Sequence, residues 1–181
     1  MKRLAPAILA AAAVLLLACQ PSGDSLTAGA ASRSGESTAA RVDRVVDGDT
    51  LVVRLTDGRR RRVRLIGIDT PETKRPGAPV ECGGPQASAL MARLALKGQG
   101  RRASGRDVVL VADRSQDSQD RYGRTLAYVD RADRRDIGRA LIEAGWAQSV
   151  AFDGRFARQS QYDAAESAAR RDKRGIWGLC R

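Results

Sequence analysis

The 181-residue sequence contains no histidine. That absence removes every mechanism built on imidazole: Ser-His-Asp triads, cleavage of phosphodiesters by a histidine pair, and zinc held by histidine. Catalysis by this chain must rest on carboxylates, arginines, hydroxyls or a hard metal ion. No internal repeat is present, and no apolar run is long enough to span a bilayer comfortably as a permanent helix. Cysteine is nearly absent too. The three cysteines, Cys19, Cys82 and Cys180, leave an odd thiol in any scheme of pairs.

What the N-terminus does contain explains that odd number. Met1-Lys2-Arg3 is a short basic start and Leu4 to Ala18 an apolar stretch, together the pattern of a secretory signal at residues 1–18. Its end, Leu16-Leu17-Ala18-Cys19, resembles the bacterial lipobox, which implies cleavage before Cys19 and a lipid on its sulfur. Ordinary signal cleavage nearby, with Cys19 left as a thiol, is the alternative. With Cys19 lipidated, Cys82 and Cys180 remain as a pair in an oxidising compartment, where a disulfide between them is expected. Residues 19–40, rich in Gly, Ser and Ala, read as a flexible tether. The expected product is exported and anchored to a membrane on its periplasmic or extracellular side.

The formal net charge is +11, which favours polyanionic partners such as nucleic acid or an anionic membrane surface. The folded body, residues 41–181, opens with three β-branched runs, Val42 to Val46, Leu51 to Leu55 and Val63 to Ile68. Asp47-Gly48 and Asp57-Gly58 separate them as tight-turn dipeptides. The spacing of Ala87, Leu90, Met91 and Leu94 predicts a helix entered at Pro85 and stopped at Gly98. Strands return at 108–111 and 125–129. A second helix carries Ile137, Ala140, Leu141 and Ala144 and ends at Gly145, and a third, alanine-rich, spans 158–173. The fold class expected is α+β, a five-stranded barrel-like sheet with about three helices.

Two acids sit at strand ends in this basic chain. Asp49 follows the first turn and Asp69 ends the third run, positions a meander can bring to one rim. Two close carboxylates repel unless a cation lies between them, and oxygen ligands suit a hard ion such as Ca²⁺. Glu72 lies just beyond, past Pro71. Arg64, five residues before Asp69, falls on the opposite face of a flat strand and can share its site only if the chain bends near Gly67. Arg124 ends a second motif, Asp120-Arg121-Tyr122-Gly123-Arg124. Two guanidinium forks, a divalent cation and a carboxylate-held water suit metal-assisted phosphodiester hydrolysis. Each residue also has a bland role. Asp49 could cap its turn, Glu72 could pair with Lys74 on the surface, Arg124 could brace a turn, and Tyr122 could be a strand-edge aromatic. The run Arg59 to Arg62 could track phosphates, line a solvated edge, or touch anionic lipid.

Taken together, Val46-Asp47-Gly48-Asp49-Thr50, Arg64-Leu65-Ile66-Gly67-Ile68-Asp69-Thr70-Pro71-Glu72-Thr73 and Asp120-Arg121-Tyr122-Gly123-Arg124 resemble the staphylococcal nuclease family, over roughly residues 41–177. The resemblance implies an OB-fold barrel with three helices and a Ca²⁺-dependent endonuclease acting on DNA and RNA, leaving 3′-phosphates. It implies that Asp49, Asp69 and the Thr70 carbonyl hold Ca²⁺ and that Glu72 activates water. Arg64 and Arg124 would bind the scissile phosphate, and Tyr122 and Arg121 the nucleotide. A monomer is expected. The sequence departs from the family's prototype after the second helix, where Ser149-Val150-Ala151-Phe152-Asp153 replaces base-stacking tyrosines. The alternative is an OB-fold lipoprotein that binds nucleic acid without cutting it.

Overall fold

A computed structural model describes residues 35–73, 77, 79–98 and 100–180. The signal expected at 1–18, the lipidation expected at Cys19 and most of the expected tether lie outside the described residues. The elements follow in chain order: β1 (Ser37–Val45), β2 (Thr50–Leu55), β3 (Arg60–Leu65), β4 (Ile68–Asp69), α1 (Gly84–Ala95), β5 (Leu96–Lys97), β6 (Ser104–Gly105), β7 (Asp107–Val111), β8 (Thr125–Arg131), α2 (Ile137–Glu143), β9 (Gln148–Ser149), α3 (Gln159–Arg171) and α4 (Ile176–Leu179). Strands β1, β2, β3, β8 and β7 close a barrel in that order. The three β-branched runs do form an antiparallel meander, and closure comes from a parallel pairing of β3 with β8, Val63 opposite Thr125 and Arg64 opposite Leu126. This is the five-stranded OB-fold barrel with helices packed on it.

Alternation fills the barrel. Leu51 and Val53 of β2, Val63 and Leu65 of β3 and Val129 of β8 are all almost completely buried. The residues between them turn outward. Helix α1 buries Ala87, Met91 and Leu94, with Leu90 only half-buried. It ends at Ala95 rather than running to Gly98, because Leu96 turns extended and pairs with Gly105. Helix α2 starts at Asp136, whose carboxylate accepts the Arg139 N–H at 3.0 Å. Tyr162 of α3 is buried against it and donates to the same carboxylate. Arg158, just before α3, bridges Asp130 and Asp136 at 2.6 Å each. Beyond the three expected helices, α4 adds a single turn carrying Trp177, over which Arg170 lies 3.9 Å from the ring centroid. Cys82, just ahead of α1, and Cys180, just after α4, form a disulfide with Cα atoms 5.9 Å apart.

The first strand starts at Ser37, four residues before the expected opening of the body at Arg41. Ser37 to Arg41 pair with Val111 to Asp107 of β7. Small polar residues with a mostly exposed pattern hide this half of the strand in the sequence, since only Ala40 is buried. Removing these residues opens the barrel seam between β1 and β7. A chain beginning at residue 41 is therefore expected to melt below one beginning at residue 35, losing several backbone bonds at about 1 kcal/mol each. Equal melting temperatures would refute the pairing.

Asp113 ties the barrel to the segment before α3. Burial raises its carboxyl, but donation from the Ala157 N–H (2.7 Å), the Tyr128 hydroxyl (2.5 Å) and Ser115 outweighs this and holds it below the ordinary 3.8. A depressed folded-state value stabilises above the ordinary carboxylate range and is lost as pH falls through the folded value. Asp113→Asn is thus expected to cost about 1–3 kcal/mol at neutral pH, with the gap to the parent narrowing in acid. Denaturant titrations across pH test this, and a gap unchanged by acid counts against it.

Candidate active site at the barrel rim

Register builds the site. Thr50 lies opposite Arg64, and both are buried on the outward side of their strands. After Leu65 the chain turns at Ile66-Gly67. Gly67 has φ 74°, and a Cβ there would sit 2.4 Å from the Phe156 ring, so only glycine makes this corner. The bend folds Asp69 back onto Arg64, which a flat strand would have kept on the other face. Arg64 Nη1 donates to the carbonyls of Leu65 (2.9 Å) and Ile68 (2.8 Å), and Nη2 donates to Asp69 Oδ1 at 3.0 Å. Its Nε lies 3.3 Å from Asp49 Oδ1. One guanidinium thereby joins the two carboxylates that the sequence singled out.

Asp49 is fastened from both sides. Thr50 Oγ1 donates to Oδ1 at 2.9 Å, and Thr70 Oγ1 donates to Oδ2 at 3.0 Å. A Cβ on Gly48 would lie 2.6 Å from Thr70 Oγ1, so the glycine before Asp49 lets the two turns touch. Thr70 was expected to matter through its carbonyl; here its hydroxyl and N–H face Asp49. Asp69 pairs with Gln148 across the short β4–β9 ladder, which draws the segment after α2 alongside. Phe152 of that segment lies 5.4 Å over the Arg64 guanidinium and is largely exposed. One aromatic face thus adjoins the site.

Negative charge is crowded here. Burial raises the Asp47 carboxyl, and the neighbouring Asp49 charge adds to it. Burial likewise raises Asp69, against the pull of Arg64, with Asp49 and Glu81 adding repulsion. Glu72 Oε1 accepts the Thr73 N–H at 2.7 Å. Glu72 and Glu81 also close the intervening loop: the Glu72 N–H donates to Glu81 Oε2 (3.0 Å), and the Glu81 N–H donates to the Glu72 carbonyl (2.9 Å). Asp47 and Glu81 are the acids sequence reasoning overlooked. Asp47 was visible as part of the turn dipeptide, whereas nothing in the spacing of Glu81 signals its return to Glu72.

Arg124 belongs to a second group. Its Nε donates to Asp120 Oδ2 at 2.5 Å, and the Asp120 carboxylate also accepts the N–H groups of Tyr122 and Arg124. Burial raises the Asp120 carboxyl, but these bonds prevail and hold it low. The Arg121 and Arg124 guanidinium groups lie 4.9 and 5.4 Å from the centroid of the exposed Tyr122 ring. Arg124 immediately precedes Thr125, which is opposite Val63, so the motif sits beside β3. Among the described residues, no hydrogen bond or ion pair joins Arg124 to Asp49, Arg64 or Asp69.

No group of three metal-ligating His, Cys, Asp or Glu side chains is formed among the described residues. The donor set nevertheless suits a hard cation: carboxylates of Asp49 and Asp69 beside Thr70, with surplus negative charge from Asp47 and Glu81 and one guanidinium to balance it.

The five-stranded barrel, with paired aspartates and a buried arginine at its rim and a second arginine motif just ahead of β8, is an OB-fold domain. A family model described as staphylococcal nuclease homologue matches residues 62–178. A thermonuclease of Staphylococcus hyicus is 34% identical over 173 residues, covering 94% of each chain. A thermonuclease of Staphylococcus intermedius is 35% identical over 136 residues, 75% of this chain and 74% of that one. The endonuclease YncB of Bacillus subtilis is 33% identical over 137 residues, 75% of this chain and 60% of its own length. This chain belongs to the staphylococcal nuclease family.

Arg64 and Asp49 are both about nine-tenths buried at their side chains, so removing one strands the other. Arg64→Met is expected to destabilise by about 3–5 kcal/mol, and Asp49→Asn on that background to recover part of the loss. A double-mutant cycle by denaturant unfolding reads the coupling; additive losses would mean the pair is not interacting.

Proposed function

We propose that this chain is a Ca²⁺-dependent nuclease that hydrolyses DNA and RNA and leaves 3′-phosphate ends. The observation that carries the reading is Arg64, buried at the rim and shared by Asp49 and Asp69. Asp49, Asp69 and Thr70 are the residues that hold the cation, which when bound supplies positive charge to the scissile phosphate. Arg64 has five N–H hydrogens; three donate to protein oxygens, and Nε lies within ion-pair distance of Asp49. The second hydrogen on Nη2, beside the half-exposed Asp69, is the one that faces a phosphate oxygen. Arg124, just ahead of β8, supplies a second guanidinium, with Tyr122 and Arg121 contacting the nucleotide.

Glu72 takes the proton of a water as its oxygen attacks phosphorus. The bond from phosphorus to the 5′ oxygen breaks, and that oxygen leaves as a hydroxyl after gaining a proton from solvent. The two arginines bind the phosphorane oxygens more tightly than those of the ground state, because charge has concentrated there. Nothing in this sequence of events calls on imidazole, in keeping with a chain that has none. The protein acts outside the cytoplasm as a monomer, anchored through lipid on Cys19.

The test is cleavage of single-stranded DNA by the full chain in Ca²⁺ or in EGTA, with end-group analysis. Ca²⁺-dependent cutting with 3′-phosphate ends is expected. Glu72→Gln is expected to lower turnover by about 10²–10⁴-fold while oligonucleotide binding is retained. Salt-sensitive binding without cutting in any divalent cation would move the chain to the binding-only reading.

A further inference from the structure

Strand β3 does more than carry Arg64. Its inward residues are Val63 and Leu65, both in the core, so Arg60, Arg62 and Arg64 share the outward face. The register extends that face sideways. Arg60 lies opposite Arg54, which lies opposite Arg41 of β1; Arg62 lies opposite Val52, which lies opposite Arg44. On the other flank, Arg124 immediately precedes Thr125, the residue opposite Val63 in the parallel pairing with β8. The outer wall of the barrel is thus ruled with arginines in rows, and the uppermost row is the site itself.

Acids compensate only part of this charge. Asp43, at the irregularity in β1, serves both Arg54 (3.2 Å) and Arg60 (3.1 Å). Asp107 lies 3.6 Å from Arg41. Arg44 and Arg62, both exposed, have no carboxylate within ion-pair distance among the described residues. Val52 between them is only 8% exposed, as expected if arginine stems cover it. Alternate residues of a strand are about 6.6 Å apart, so Arg62 and Arg60 lie roughly 7 and 13 Å from Arg64 along β3. A chain of phosphates leaving the site along β3 meets a guanidinium at each such step.

We infer that the outward face of β1, β2 and β3 is an extended binding track for the flanking single strand of a nucleic-acid substrate, with Arg62, Arg60 and Arg44 as its phosphate contacts. The inference rests on the proposed nuclease reading for what sits at its upper end. An anionic lipid surface is the other polyanion this run of arginines could meet. Strand over strand, though, the rows lead straight into Arg64 and Asp49, continuity that a polymer crossing the site can use and a membrane cannot.

The test uses the full chain, its Arg60→Gln/Arg62→Gln variant and, separately, Arg44→Gln, each checked by thermal melting. Binding of a single-stranded DNA of about a dozen nucleotides is read by anisotropy in EGTA over a range of salt. The same strand and a dinucleotide are then offered for cleavage in Ca²⁺. The double variant is expected to flatten the slope of log affinity against log salt by about 1.4, and Arg44→Gln by about 0.7. KM for the long strand should rise several-fold, with kcat/KM for the dinucleotide unchanged. An unchanged slope overturns the track, as does an equal loss on both cleavage substrates. Loss of sedimentation with phosphatidylglycerol vesicles, with the DNA slope intact, assigns the face to lipid instead. If the parent cuts neither substrate, the nuclease reading fails, and the anisotropy slopes still decide the track. Should the double variant not fold, Arg44→Gln on the neighbouring strand decides it alone.

Discussion

A buried positive charge holds this molecule's working end together. Arg64 projects from a strand whose neighbours Val63 and Leu65 belong to the hydrophobic core. Desolvating a guanidinium at that depth is unfavourable unless its hydrogens and its charge are both answered. Two carbonyls at the β3–β4 corner and the two aspartates answer them. The same contacts fix the corner, draw Asp69 back over the barrel and keep two like charges within one small volume. Shape and electrostatics at the rim are therefore not separable: the bend exists where the charges need it, and the charges are tolerable because of the bend.

From that rim the supporting structure extends in two directions. Downward, the barrel interior is aliphatic and carries little polar burden. Sideways, the packing of α2 and α3 is organised by aspartates: Asp136 caps α2 and accepts from Tyr162, while Arg158 spans Asp130 and Asp136. Burial disfavours the charge of Arg158, but its bonds to those aspartates prevail and keep it firmly protonated. The short β4–β9 ladder then hands this rigidity to Asp69, since Ser149 of β9 is bonded to Asp163 and Glu166 of α3. An enzyme site of this kind depends on placement to fractions of an ångström, and the helical layer is what resists drift.

Much of this was legible in the sequence because the signals were local. Alternating β-branched runs punctuated by Asp-Gly announce strands, and the heptad-like spacing of Ala87, Met91 and Leu94 announces a helix. The pairing of Cys82 with Cys180 followed from counting thiols once Cys19 was set aside. What stayed hidden depends on tertiary contact. The strand pairing of Ser37 to Ala40 has no apolar alternation to reveal it, the early end of α1 is imposed by a partner at Gly105, and Glu81 meets Glu72 only because a loop returns. The meeting of Arg64 with Asp69 lay between these cases: strand parity argued against it, and Gly67 hinted at the bend that allows it.

The parallel seam between β3 and β8 carries a consequence for how the chain comes into being. Val63 and Thr125 must find one another across the whole of α1 and β7, and Asp69 waits still longer for Gln148. Contacts of such sequence separation are slow to form, because the entropy of closing their long loops must be met before they stabilise anything. During synthesis the residues of the rim emerge first, the partners that clamp them at Thr125 and Gln148 follow well behind, and the disulfide joins cysteines 98 positions apart. A partly synthesised chain accordingly holds its acids and arginines unassembled. Full competence arrives only with the finished fold, so the topology itself times the moment at which the site first exists.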